Sequence, residues 1–397
     1  MARCPIDGSL PASGTKSGVT GSAAALAQWC CCRSLPTGNS YALMAVIFAP
    51  SARQGAAKLK STTMAADLLP ALEHALRDML PGLQRIGQLT RLSGGASQET
   101  WSFEAVCATE TIPLILRRTP GGAPRSVTET STSVPLETEA IAIEASRAAG
   151  VRAPRVRYVL KESDAIGQGY VMDRLPGETI ARKILRDKEF DAVRPDLARQ
   201  CGEVLARIHA VELTPALRTV LPVVDGPTQL RRYRDTYDLY DYPHPVFEMA
   251  FKWLEPRMAG ARRQTLVHGD FRHGNLLISP RGVEAALDWE LVHIGDPLED
   301  IGWICTNSWR FGVQDKVVGG FGDLGDLLAG YEAAGGGHVT EEEARTWIVY
   351  GSLKWGVMCM SMYQGFLRDH SVERAAIGRR SSENEIDLVN LIIRGKI

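Results

Sequence analysis

The chain has 397 residues, 45% of them hydrophobic and 23% charged, a profile that fits a folded globular protein and excludes a disordered or fibrous one. Its 45 basic residues are balanced by 46 acidic ones, which argues against a dedicated nucleic-acid binder. The longest apolar stretch, Val349 to Met362, is interrupted by Gly351, Lys354 and Gly356 and falls short of the roughly 20 residues that span a bilayer, so no membrane partner is expected.

Residues 1 to 63 differ from the rest: Ala, Ser, Gly and Thr dominate, and Asp7 is their only acidic residue. They lack both an amphipathic Arg-rich helix and a basic start followed by an apolar core. The composition predicts a disordered leader or an over-called start, with Met64 opening the folded part; a transit peptide is the alternative. From there Leu68, Leu69, Leu72, Leu76, Met79 and Leu80 recur at helical spacing up to the break at Pro81-Gly82. Strand-like runs follow at 88–92, 101–106 and 113–117, then a helix over 135–149 and two more strands at 156–160 and 169–174. Beyond Asp191 the pattern is helical, except for short apolar strands at 276–278 and 285–287. Strands first and helices afterwards predict an α+β chain of two segregated lobes, 64–175 and 176–397. Eight cysteines, without CxxC spacing or a disulfide rhythm, predict reduced thiols in a cytoplasmic setting.

The strongest chemical signal is Leu266-Val-His-Gly-Asp-Phe-Arg-His-Gly-Asn275, followed by Ala286-Leu-Asp-Trp-Glu290. An Asp, four intervening residues, an Asn, and a second Asp thirteen positions later form the spacing of a phosphoryl-transfer site. A hydroxyl nucleophile needs a carboxylate to orient it and accept its proton, which suits Asp270. Mg²⁺ takes a few oxygen ligands from protein, which suits Asn275 and Asp288. A short hairpin between them brings both to one cleft.

These segments resemble the aminoglycoside phosphotransferase and choline kinase family, whose motif is HGDxxxxN followed by D-[FW]-E. The resemblance implies a protein-kinase-like fold with a small β-rich N-lobe and a larger helical C-lobe. It implies ATP and Mg²⁺ as cofactors and a small-molecule hydroxyl as acceptor, with Asp270 as base and Asn275 and Asp288 as metal ligands. Leu92 to Thr100 resembles the phosphate loop of that family, with Gly94, Gly95, Ala96 and Ser97 at its tip, where bare backbone N–H groups cradle phosphate. The third strand ends in Arg117-Arg118 where the family places Lys; Arg117 is the expected substitute and Arg118 the next in line. Glu139 matches the glutamate that pairs with this cation, ahead of Glu137 and Glu144. Gly169 to Gly177 matches the interlobe linker, placing Met172 against adenine. Asp296 and Asp300 match a GDP..D segment and read as loop and helix-cap residues. His209 and His268 read as structural residues, and His273 has no assigned role.

Four further stretches, at 229–233, 253–256, 287–297 and 378–380, resemble the kinase-like domain fused to some acyl-CoA dehydrogenases. That likeness implies a hydroxyacyl-CoA acceptor. Residues 229 to 263 carry seven cations and five anions, a surplus that favours an anionic acceptor. An aminoglycoside or macrolide kinase, and a nucleotide-binding pseudokinase prompted by Arg117, are the alternatives.

Overall fold

The computed structural model describes residues 68–92, 98–122, 133–260 and 263–397. The leader and the tip of the expected phosphate loop lie outside them. The described residues form one compact unit.

The unit opens with helix α1, described over residues 68–77, whose Leu72 and Leu76 are fully buried. Strands β1 (Leu83–Ile86), β2 (Thr90–Arg91), β3 (Glu99–Cys107) and β4 (Thr111–Arg118) follow, then α2 (Leu136–Ala148), β5 (Val156–Val159) and β6 (Gly169–Asp173). The sheet runs β1-β3-β4-β6-β5, with β2 also paired to β3, and every pairing is antiparallel. The run expected at 88–92 is thus only two residues of strand. The true edge strand, Leu83–Ile86, was missed because its Leu-Gln-Arg-Ile sequence buries only its two ends. One core joins α1 to this sheet through Leu72, Leu76, Trp101, Phe103, Leu114, Leu116 and Val171.

The second lobe is helical: α3 (Ala181–Arg186), α4 (Leu197–His209), α5 (Pro215–Val220), α6 (Gly226–Asp238) and α7 (Pro245–Leu254) precede four short strands. These are β7 (Thr265–Val267), β8 (Leu276–Ser279), β9 (Gly282–Ala286) and β10 (His293–Gly295), paired as β7–β10 and β8–β9. Helices α8 (Leu298–Cys305), α9 (Leu324–Ala333), α10 (Glu341–Asp369), α11 (Val372–Gly378) and α12 (Ser381–Ile393) close the chain. A Thr340–Glu343 capping box starts the 29-residue α10, and its apolar middle lies in the lobe's core. No helix among the described residues is long and apolar enough to cross a membrane. Helix α2 and Tyr170 contribute to this second core, which ties the sheet to the helical lobe.

Helices α4 and α9 cross so closely that a Cβ on Gly202 would lie 2.1 Å from the Leu327 carbonyl oxygen. Backbone on both sides leaves no flexible group to yield. Gly202→Ala is therefore expected to destabilise the unit by about 3 kcal/mol or more. The measurement is a lower denaturant midpoint at unchanged m.

Candidate active site

The catalytic-loop candidates sit between β7 and β8. Gly269 adopts φ +81°, and a Cβ there would meet the Leu291 carbonyl oxygen at 2.4 Å, so the backbone passes where only glycine fits. Asp270 follows, largely buried. Its Oδ1 accepts the Trp303 indole N–H at 2.6 Å and the Arg272 Nε–H at 3.0 Å. Its Oδ2 accepts the Asn275 side-chain amide at 2.6 Å. Three donors from three positions thus fix one carboxylate.

The hairpin β8–β9 does what its sequence predicts. Leu276 opposes Ala286, and one step outward the Leu287 N–H donates to the Asn275 carbonyl at 2.8 Å. Asn275 and Asp288 therefore emerge side by side. Asp288 itself sits at φ +65°, in the left-handed region that few non-glycine residues adopt and that Asp enters more readily than most.

Arg117, on β4, is the cation that meets Asp288. Its Nη2 contacts Asp288 Oδ1, and its Nε lies 3.4 Å from Glu139 Oε1 on α2. Glu139 is fully buried and also accepts the Tyr170 hydroxyl at 2.9 Å. Burial pushes its carboxyl up, to about 7, against the pull of the Arg117 guanidinium. Arg118 turns to the other face of β4, where its Nε–H donates to Glu99 at 3.0 Å and its Nη1 donates to the Ile166 carbonyl. Glu137 and Glu144, the lesser candidates on α2, do not take part in the Arg117 pair: Glu144 instead accepts the Val156 N–H at 2.7 Å.

Arg117, Asn275 and Asp288 line a cavity of 560 Å³ between the sheet and the helical lobe. Ile115, Met172, Leu277 and Leu287 supply its apolar walls. Met172, opposite Ile115 in the β4–β6 pairing, stands on the last strand before the chain passes into the second lobe. Gly94, Gly95, Ala96 and Ser97 lie outside the described residues.

A phosphotransferase enzyme family model, APH, matches residues 88–336. This chain belongs to the APH phosphotransferase family. Acyl-CoA dehydrogenase family member 10 of Mus musculus is 30% identical over 265 residues, which are 64% of this chain and 23% of that protein. Acyl-CoA dehydrogenase family member 11 of Homo sapiens is 26% identical over 163 residues, 38% of this chain and 20% of that protein. The chain thus spans less than a quarter of the length of these curated relatives. Among solved structures, spectinomycin phosphotransferase APH(9)-Ia in complex with ADP and spectinomycin is similar at a TM-score of 0.53 and 13% identity, over 77% of this chain and 94% of that one. Macrolide 2'-phosphotransferase MphH from Brachybacterium faecium is similar at 0.51 and 18%, over 80% and 97%. The APH chain thus has the two-lobed kinase-like fold.

Three features of this APH site were not anticipated. Asp300 is no helix cap: from the first turn of α8 its carboxylate reaches across to accept the N–H groups of His268 and Gly269 at 2.8 and 2.9 Å. His209 Nε2 lies 3.1 Å from the same carboxylate. Burial alone would raise the Asp300 carboxyl, but the His209 hydrogen bond and the backbone donors hold it below the usual range. Trp303, one helical turn on, is the second feature, since positions i and i+3 share a face. Arg272 is the third, its guanidinium carbon 4.6 Å from the centroid of the Trp309 ring and its Nε bonded to Asp270. The GDP..D spacing pointed to the segment but not to its targets.

Asp300→Ala strands two buried N–H donors at about 1–3 kcal/mol each, so stability should fall on the order of 3 kcal/mol and the loop should lose its register. The depressed carboxyl sets the sign with pH: this contribution is full above the unfolded value of about 4 and is lost as pH falls through the folded value. Thermal melts of wild type and variant between pH 3 and 7 should therefore converge at the acid end.

Proposed function

We propose that this chain transfers the γ-phosphoryl group of ATP to a hydroxyl of a small molecule, with a hydroxyacyl-CoA ester as the acceptor class. The observation that carries the reading is that Arg117, Asn275 and Asp288 line one interlobe cleft, with Glu139 backing Arg117 and Asp270 bonded to Asn275 just behind the lining. These residues fit a Mg²⁺-nucleotide. Asn275 commits its amide nitrogen to Asp270, leaving its carbonyl oxygen for a metal, and Asp288 adds a carboxylate; both are the hard oxygen donors that Mg²⁺ takes. Among the described residues no cluster of three or more His, Cys, Asp or Glu offers a metal site of another kind.

Mg-ATP in this cleft supplies the electrophilic phosphorus. Arg117 places a guanidinium fork toward the phosphates, with Glu139 and Tyr170 fixing its stem side. Asp270 accepts the proton of the acceptor hydroxyl, its carboxylate oriented by Trp303, Asn275 and Arg272. Trp303 and Asn275 are neutral donors to this carboxylate, whereas Arg272 pairs with it as a cation.

One observation supports the acyl-CoA class: the curated relatives carry acyl-CoA dehydrogenase names. Arg272 borders the cleft, but its ion pair with Asp270 neutralises it, so its charge does not sort acceptors. Within 229–263, Arg234 pairs with both Asp238 and Glu248, which does not reduce the surplus of cations in that segment. The test is an ADP-formation screen with Mg-ATP against hydroxyacyl-CoA esters, amino alcohols, aminoglycosides and macrolides. Turnover with hydroxyacyl-CoA esters is the expected result. Turnover confined to an antibiotic overturns the acceptor class, and none with any hydroxyl compound favours a nucleotide-binding pseudokinase.

A further inference from the structure

Lys354 lies midway along α10 and is 3% exposed, a depth at which an ammonium group persists only with partners. Its Nζ donates to Glu299 Oε1 at 3.1 Å and to the Gly269 carbonyl oxygen at 3.2 Å. It also stands 4.4 Å from the centroid of the Trp303 ring. The same Trp303 donates its indole N–H to Asp270. One cation thus touches the backbone immediately before Asp270 and the side chain that orients Asp270.

Glu299 is the fixed end of this arrangement. Gln229 Nε2 donates to its Oε2 at 2.8 Å, His293 Nε2 lies 3.1 Å from the same oxygen, and the Tyr350 hydroxyl donates to Gln229 Oε1 at 3.0 Å. Helices α6, α8 and α10 and strand β10 therefore meet in one satisfied polar cluster, and a rigid anchor results. A core that needed only packing would place an apolar side chain at 354. A lysine there serves a contact that only a donor can make, with the Gly269 carbonyl. A cation on the indole face also withdraws electron density from the ring and strengthens its N–H as a donor.

We propose that Lys354 is a positioning residue for phosphoryl transfer, clamping the Gly269 carbonyl and backing the Trp303 indole so that Asp270 meets the acceptor hydroxyl in one orientation. It does not touch substrate, because it acts from behind the loop. The inference rests on the reading of Asp270 as the base.

The test uses the full chain with Trp indoles labelled with ¹⁵N, and ADP formation from Mg-ATP with the best acceptor of the hydroxyl-compound panel. Trp303→Phe assigns the Trp303 indole resonance by its disappearance. Lys354→Met is expected to lower kcat about 10- to 100-fold, the scale of a small misplacement of a reacting group. The KM for ATP should stay within about twofold. The Trp303 resonance should move, and Lys354→Arg, which keeps the donor and the charge, should recover most of kcat. A lysine needed only for stability would lower the melting temperature and leave kcat and that resonance in place. Wild-type kcat in folded Lys354→Met, or a lowered kcat with the resonance unmoved, overturns the proposal. If Lys354→Met does not fold, Trp303→Phe decides: a kcat within about threefold of wild type overturns it. Asp270→Ala separates the two ideas. If that variant keeps turnover, the base assignment falls; if it loses turnover while Lys354→Met keeps it, only the role of Lys354 falls.

Discussion

Asp270→Ala is expected to lower phosphoryl transfer by at least about 100-fold while nucleotide affinity stays within about twofold. The carboxylate lies at the junction of three donors and does not itself border the cavity that Arg117, Asn275 and Asp288 line. Removing it should leave the nucleotide walls intact and take away the group that accepts the hydroxyl proton. Asp270→Asn is the sharper version, because it keeps shape but presents an amide to the Trp303 and Asn275 donors. It should be as inactive as the alanine variant, with a changed orientation of Asn275. Single-turnover transfer from Mg-ATP and equilibrium ADP binding measure the two effects separately. Turnover within a few-fold of wild type would remove Asp270 from the role of base.

The second large effect is expected at Arg117, the position where this chain departs from the usual lysine. Its guanidinium joins Asp288 to Glu139, and the three side chains are partly or wholly withdrawn from water. Arg117→Ala leaves Glu139 buried beside Asp288 without a cation, a loss of about 3–5 kcal/mol when one partner of a buried pair is removed. ATP affinity and turnover should fall together. Arg117→Lys should keep much of both, although a single ammonium cannot fork to two carboxylates as a guanidinium does. Arg118→Ala should leave ATP affinity near wild type, because Arg118 serves Glu99 and the Ile166 carbonyl on the opposite face. Isothermal titration with a non-hydrolysable ATP analogue, paired with thermal melts, tells the two arginines apart. Weaker ATP binding in Arg118→Ala and not in Arg117→Ala would reverse the assignment.

Both predictions concern residues singled out in the sequence, Asp270 by motif spacing and Arg117 by the family resemblance. Asp270, Asn275 and Asp288 lie within one loop and hairpin, where four intervening residues and then a short turn leave little choice about which side chains emerge together. Arg117 and Arg118 could be assigned to opposite faces because successive strand residues alternate. Glu139 was legible through the resemblance, in which it matches the glutamate that pairs with the third-strand cation; the first turn of its helix also holds Glu137. The two-lobed class was equally open to reading, since strands come first and helices afterwards.

Other features depended on partners far away in the chain. Asp300 read as a cap because an aspartate near a helix start usually is one, yet its acceptor oxygens meet donors 31 and 32 residues earlier. Trp303 reaches Asp270 across 33 residues, and Lys354 reaches Gly269 across 85. In the sequence Lys354 was only a break in an apolar run. Periodicity reports which face of a helix turns inward, but not which backbone carbonyl or carboxylate waits there. Asp270, Asn275 and Asp288 were therefore legible from spacing along the chain, and Arg117 and Glu139 from the family resemblance. The residues that hold the loop in register were decided by the packing of α8 and α10 against it, because a buried polar group takes its meaning from the partner that satisfies it.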